Sequence, residues 1–210
     1  MITRQTALFD YADKLLNIYL RQMLRKFSKT QNKLLSFDEL NVMNTQTAVN
    51  DLYEEVLKLA LEAYRKIAKY YYRLVRKDDD FPLDMWLSDL LSAYDPVTYY
   101  LFYPEEDRKR ARMLEAMLSA RTKADLKKEV FKAYRYWARQ FKHYLDKTAV
   151  NAVIEAYKKD GYTLFEWVTA HDEKVCAECE PKDGKLYTLK ELPPLPLHYN
   201  CRCYIIPHEI

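Results

Sequence analysis

Five side chains able to bind a transition metal lie within twenty-eight residues: Cys176, Cys179, His198, Cys201 and Cys203. They include all four cysteines of the chain, so the first 175 residues hold none. Two thiolates two residues apart can grip one ion from a single tight turn, and a second pair arriving from a distant segment completes a tetrahedron. Cys176-x-x-Cys179, eighteen further residues, then His198-x-x-Cys201-x-Cys203 has that form. Five donors compete for four places. Cys176, Cys179 and Cys201 are therefore the expected ligands of one structural zinc per chain, with the fourth either His198 or Cys203. Disulfide pairing is the alternative use of the same thiols, and in a reducing compartment a cluster of this kind is more often a metal site.

A catalytic zinc is the competing chemistry. His171-Asp-Glu173 followed by Cys176-Ala-Glu-Cys179 imitates the H-x-E and C-x-x-C of zinc deaminases. Those ligands come from two helices that the fold brings together, and the two residues between Glu173 and Cys176 cannot provide such a geometry. His198-Tyr-Asn200 imitates the zinc-bearing His-Asn-His nucleases, but His198 is bracketed by cysteines rather than turned away from them. A site with four filled positions also leaves no place for water. The sequence thus predicts no catalytic residue, with a metal-dependent nuclease as the weakest reading. Asp172 is expected to accept turn amides near the zinc or to orient a ligand, and Trp167 to be the apolar anchor of the small module. His171 and His208 are expected to be solvated or to support the ligands from outside, and His143 to be an ordinary core or surface residue.

These residues must be held by something. With only Gly161 and Gly184 in 210 residues, the chain lacks the glycine that β-rich folds use in hairpins and bulges, so the body should be helical. Leu8, Tyr11, Leu15, Ile18, Leu24 and Phe27 sketch a helix from about Thr6 to Ser28. Leu52, Val56, Leu59, Ala63, Ile67, Tyr70 and Leu74 mark one face of a second, from about Thr47 to Arg76. Three acids and Pro82 stop it. A short helix over Pro82 to Tyr94, a proline-bounded loop from Asp95 to Pro104 and a helix over about Glu105 to Ala120 should follow. The last helix opens at Thr122, with Asp125 in the capping-box position, and runs to Gly161 with a kink expected near Lys147. After Gly161, strand formers in Tyr162 to Val168 and prolines at 193, 194, 196 and 207 exclude long helices. The expected fold is mainly α, with a helical body over 1–160 and a small irregular or β zinc module over 161–210. Forty-odd residues rarely fold on an apolar core alone, which is a second reason to expect a metal there.

Net charge is +3, too small to imply a polyanionic partner by itself. From Pro104 to Asp160, however, 15 Lys and Arg face 9 Asp and Glu. Arg135, Arg139 and Lys142, at i, i+4 and i+7, share one helix face that could contact DNA phosphates. No apolar run approaches the ~18 residues needed to cross a bilayer, and acids interrupt the N-terminal stretch where a signal peptide should be apolar. A protein made in the cytoplasm, with no membrane partner, is expected.

Taken in order, Ala149-Val-Asn-Ala152, Tyr157-Lys-Lys-Asp-Gly161, Trp167, Asp172-Glu-Lys-Val-Cys176-Ala-Glu-Cys179, Gly184, Pro194 and His198-Tyr-Asn-Cys-Arg-Cys203 resemble the C-terminal signature of the phage head morphogenesis family, the Mu F-like minor head proteins of tailed bacteriophages. The resemblance covers about residues 120 to 207, and it departs from the family pattern at Leu195-Pro196-Leu197. It implies a structural role for Gly184 beside Trp167 and Asp172. It also implies a virion protein made in the host cytoplasm alongside portal and major capsid proteins. Such a protein is present in few copies, is associated with the portal or the capsid interior, and acts in head assembly, genome packaging or delivery. A DNA-binding virion protein that meets the packaged genome through the basic helical face is the alternative.

Overall fold

The computed structural model describes residues 2–38, 40–77 and 114–208, with side chains from Tyr11 onward. The protein is mainly helical: α1 spans Ile2–Leu35, α2 Val42–Val75 and α3 Lys123–Lys159, with one further helical stretch at 114–118. The predicted helix over Pro82 to Tyr94, the loop to Pro104 and most of the Glu105 to Ala120 helix lie outside the described residues. A three-stranded antiparallel sheet follows α3, built from β1 (Leu164–Val168), β2 (Leu186–Thr188) and β3 (Tyr204–Pro207) in the order β2-β1-β3. Among the described residues no helix is long and apolar enough to cross a membrane.

Two compact units result, one holding residues 2–65 and 114–142 and the other 66–77 and 143–208. In the first, α1 and α2 run antiparallel. Tyr19 donates to Glu62 at 2.8 Å, Lys26 meets Glu55 at 3.4 Å and Lys33 reaches Asp51 at 2.9 Å, so partner numbers rise on one helix as they fall on the other. Aromatic rings of α3 fill the space between them: Phe27 against Tyr134, Tyr53 against Trp137, and Tyr64 stacked on Phe141 at 5.8 Å. Tyrosine suits this work because the ring buries a large area while its hydroxyl reaches a polar group, as Tyr19 does.

The ends of the helices follow from local chemistry. Asn41 and Asn44 cap α2 reciprocally, each side-chain oxygen accepting the other's backbone N–H, at 2.9 and 3.1 Å. Thr122 and Asp125 form the predicted box at the start of α3: Asp125 N–H donates to the Thr122 hydroxyl at 3.0 Å, and Thr122 N–H to the Asp125 carboxylate at 3.1 Å. The helix assignment of α3 continues unbroken through Lys147. The Thr148 hydroxyl and the Asn151 amide donate back to the carbonyls of Tyr144 and Lys147, which occupies polar groups that would otherwise oppose a buried helix. Gly161 then ends it at φ 90°, with Tyr162 N–H bonded to Tyr157 O at 3.1 Å and Gly161 N–H to Lys158 O at 3.0 Å. This is the Schellman pattern, and the Tyr157 and Tyr162 rings meet edge-on at 5.7 Å as its apolar contact.

In the second unit the sheet packs on the last turns of α3. Phe165 and Trp167, alternate residues of β1, are fully buried with Leu195 and Ile205, and Val150, Ile154 and Tyr157 of α3 press on this cluster. Trp167 is the anchor its size suggested. At the C-terminal end of α3, Arg76 forms an ion pair with Asp160.

A candidate structural metal centre

The centre is assembled by two turns hung from the sheet. After β1 the chain turns through His171 at φ 50° and enters the Cys176–Cys179 knuckle, where the amides of Cys179 and Glu180 both donate to Cys176 O at 3.0 Å. A 3-10 turn at Glu180–Lys182 follows. Gly184, at φ 69°, then donates to Trp167 O at 2.8 Å, while the Asp183 carboxylate accepts Thr169 N–H at 2.7 Å. A side chain at 184 would meet no neighbour, so glycine is required by the left-handed backbone alone. The second turn, after a cis Leu195-Pro196 bond, runs His198-Tyr-Asn-Cys201 with Asn200 at φ 61° and Cys201 N–H on His198 O at 3.2 Å, and feeds directly into β3.

All five predicted donors come together. The ligand atoms of Cys176, Cys179 and His198 form one group with every separation within 4.8 Å, and Cys179, Cys201 and Cys203 form another. Cys179, 1% exposed, belongs to both. None of the four cysteines is in a disulfide. His198 Nε2 is 3.0 Å from Cys176 Sγ and 3.2 Å from Cys179 Sγ, and Cys179 and Cys201 sulfurs are 3.8 Å apart. Metal–sulfur bonds of ~2.3 Å in a tetrahedron require a sulfur–sulfur edge of ~3.8 Å, so this pair already has the spacing of a shared zinc. The imidazole contacts are a few tenths of an ångström tighter than the corresponding nitrogen–sulfur edge of about 3.6 Å. A cavity of about 20 Å³ lies among the five donors, and about 10 to 15 Å³ by this measure already admits one water-sized guest. A Cys3His-type set around a space of this size fits a metal ion.

The surrounding bonds orient the donors. His198 Nδ1 lies 2.9 Å from Tyr199 O. An N–H there donates to the carbonyl and leaves the Nε2 lone pair facing the thiols, as a metal-binding imidazole requires. For Cys176, desolvation pushes the thiol pKa up, but the amides of Cys179 and Glu178 outweigh it and hold the pKa down. Cys201 is drawn down to about 5, first by a hydrogen bond from the Cys203 thiol and further by backbone amides of Cys203 and Leu197. The same bond, helped by burial, drives Cys203 up. Burial pushes Cys179 up to about 12. Of these two neighbouring thiols, Cys201 is thus the more acidic.

Asp172 performs a task that links the two turns. It accepts Lys174 N–H at 2.9 Å within the first and the Arg202 guanidinium at 2.5 Å from the second. The Arg202 bond, with the Lys174 amide, holds its carboxyl below the ordinary 3.8. A depressed carboxyl contributes its full share above its ordinary pKa and loses it as pH falls through the folded value. Arg202→Ala should therefore weaken metal retention about tenfold at neutral pH. In competition with a chromophoric chelator, Asp172→Asn should show a similar loss at pH 7, and the difference from the native chain should shrink in acid below the carboxylate range.

His171 stands outside the cluster, 61% exposed and 3.6 Å from Asp183, and His208 is exposed, its backbone N–H bonded to Leu164 O. Sequence reasoning missed three contributors. Arg202 and Asp183 gave no signal beyond ordinary surface charge. His143 of α3 packs its ring 4.6 Å from that of Tyr199, the residue whose carbonyl orients His198.

Fold and centre together define a mainly helical protein whose small C-terminal sheet carries a Cys/His cluster that could hold a metal ion. Residues 107–206 match the family described as Phage Mu protein F like protein. The matched stretch takes in α3 and all five donors, and it supports the resemblance to the phage head morphogenesis family that the signature residues carried. Searches among curated proteins and among solved structures gave no match.

Proposed function

We propose that the protein is a non-catalytic minor component of a tailed-phage head, in which one zinc per chain clips the C-terminal unit into a rigid surface for the portal or major capsid protein. The zinc ligands in this reading are Cys176, Cys179, His198 and Cys201. The observation that supports it is the convergence of five sulfur and imidazole donors in the family-matched segment, as two triads that share Cys179; an ion held by four of them would keep no coordination position for water and would shape the protein rather than react. Thiolate ligands favour zinc over harder ions such as magnesium or calcium. Few copies per virion, entry into the head during assembly in the host cytoplasm, and roles in packaging or delivery follow from the family reading.

The test is co-expression with the portal and major capsid proteins of the phage that encodes it. The native chain should co-purify with assembled heads, and a Cys179→Ser chain, expressed to a similar level, should be missing from them. Heads that incorporate both chains equally would remove the clip from assembly. Failure of the native chain to enter heads would remove the head role itself.

A further inference from the structure

On the first unit, far in kind from the metal centre, α3 carries a row of cations. Lys128, Lys132, Arg135, Arg139 and Lys142 follow at steps of four, three, four and three residues, which at 3.6 residues per turn confines them to an arc of about 80°. The opposite face holds Leu126, Val130, Ala133 and Trp137, all buried in the unit's own core. Lys128, Lys132, Arg135 and Arg139 are exposed and Lys142 is partly so. Between Lys123 and Lys142 there are seven cations and two acids. Asp125 is held in the helix cap by Thr122; Glu129 bonds Lys132 at 2.6 Å and so offsets part of the charge of that one member of the row. The apolar side explains why α3 is a helix; it does not explain why the outward face is of one sign.

We propose that this row is a binding surface for the phosphate backbone of double-stranded nucleic acid, used without regard to sequence. From Lys128 to Lys142 the helix rises ~21 Å and offers a cation every ~5 Å. A duplex is a rigid polyanion with one charge per ~1.7 Å of axis, so it can lie along the whole row and release counterions at each contact. A flexible acidic peptide would have to be ordered first, which lowers its affinity for the same charges. The row contains no amide side chain suited to reading adenine, and point charges on phosphates fix position rather than sequence. The proposal is independent of the zinc reading, because the metal donors lie in the other unit.

The experiment uses the full chain and mixed-sequence duplexes of about 30 base pairs, with binding followed by fluorescence anisotropy from about 50 to 200 mM salt. Four phosphate contacts, or five where the duplex displaces Glu129 from Lys132, predict a log–log salt slope between about −3.6 and about −4.5, equal for two unrelated duplexes. The triple variant Lys128→Gln, Arg135→Gln, Arg139→Gln should flatten the slope by about 2.7 and weaken binding at least about tenfold. A control triple with the same charge change, Lys14→Gln, Lys69→Gln, Lys185→Gln, removes exposed lysines elsewhere and should leave the slope unchanged. Should the first triple fold poorly by circular dichroism, Arg135→Gln alone should still flatten the slope by about 0.9. The proposal is overturned by absence of duplex binding at the lowest salt or by equal losses in the two triples. It is also overturned if polyglutamate or anionic vesicles bind as tightly as duplex and depend on the same residues, since the row would then serve an acidic protein or a membrane surface.

Discussion

Replacing Cys179 by serine should abolish stoichiometric zinc and unfold the segment after Gly161, while the helices of the first unit stay folded. Cys179 is the position to choose because its sulfur belongs to both donor groups and is buried among them. The two turns that carry the donors have few other reasons to hold together. Their fully buried apolar core is Phe165, Trp167, Leu195 and Ile205 with Cys179, Cys201 and Cys203, flanked by partly buried residues of α3 and the loops, and the sheet beneath has strands of five, three and four residues. Coordination of a structural zinc contributes on the order of 10 kcal/mol to such a module, comparable to the entire stability of a small domain. Native protein should contain about one zinc per chain by elemental analysis. Treatment with a strong chelator should expose sites between Tyr162 and His208 to protease, and added zinc should restore protection. Chelation separates the effect of the metal from any misfolding of the variant during expression. A segment that stays protected in both the stripped chain and Cys179→Ser would rule out a metal clip.

How far the sequence could be read depended on whether the determining interaction was local. The capping box at Thr122, the stop at Gly161 and the apolar row of α2 each rest on residues within a turn or two of one another; the structure has the first two, and of the row it buries Leu52, Val56, Ala63 and Ile67 while leaving Leu74 exposed. Helix limits were less legible. α1 extends to Leu35 and α2 begins at Val42 rather than near Thr47, because the Asn41 and Asn44 pair caps the helix through a reciprocal arrangement that a Ser/Thr-to-acid motif does not describe. Lys33, reaching Asp51 on α2, helps hold the last turn of α1 in a helix that its own polar sequence hardly marks.

At the centre, the five donors were legible because metal binding restricts residue type and spacing together. Their arrangement was not. The pairing of Asp172 with Arg202 spans thirty positions, and a surface arginine beside a cysteine looks the same whether it holds a loop or faces water. His143 was invisible for a related reason: its contact with Tyr199 depends on the path of the chain after Pro196, which no helical periodicity encodes.

That path also bears on the fourth ligand. His198 stands within 3.2 Å of both knuckle sulfurs with its remaining nitrogen tied to Tyr199 O, whereas Cys203 groups with Cys179 and Cys201 alone, and of that pair Cys201 is the more acidic and lies 3.8 Å from the Cys179 sulfur. If Cys201 is the ligand and Cys203 its hydrogen-bond donor, the two cysteines should respond very differently to the same substitution. Cys201→Ser and His198→Ala should each lose the metal, with the instability expected for an open coordination site. Cys203→Ser keeps a hydroxyl able to donate to the Cys201 sulfur, and should retain one ion per chain with affinity lowered by about tenfold at most. Cobalt substitution gives a direct reading, because sulfur-to-metal charge-transfer absorption grows with the number of thiolates bound. The native and Cys203→Ser proteins should show equal intensity, that of three thiolates. A drop in intensity and loss of the ion in Cys203→Ser, together with metal retained in His198→Ala, would transfer the fourth position to Cys203 and make the centre a four-cysteine site.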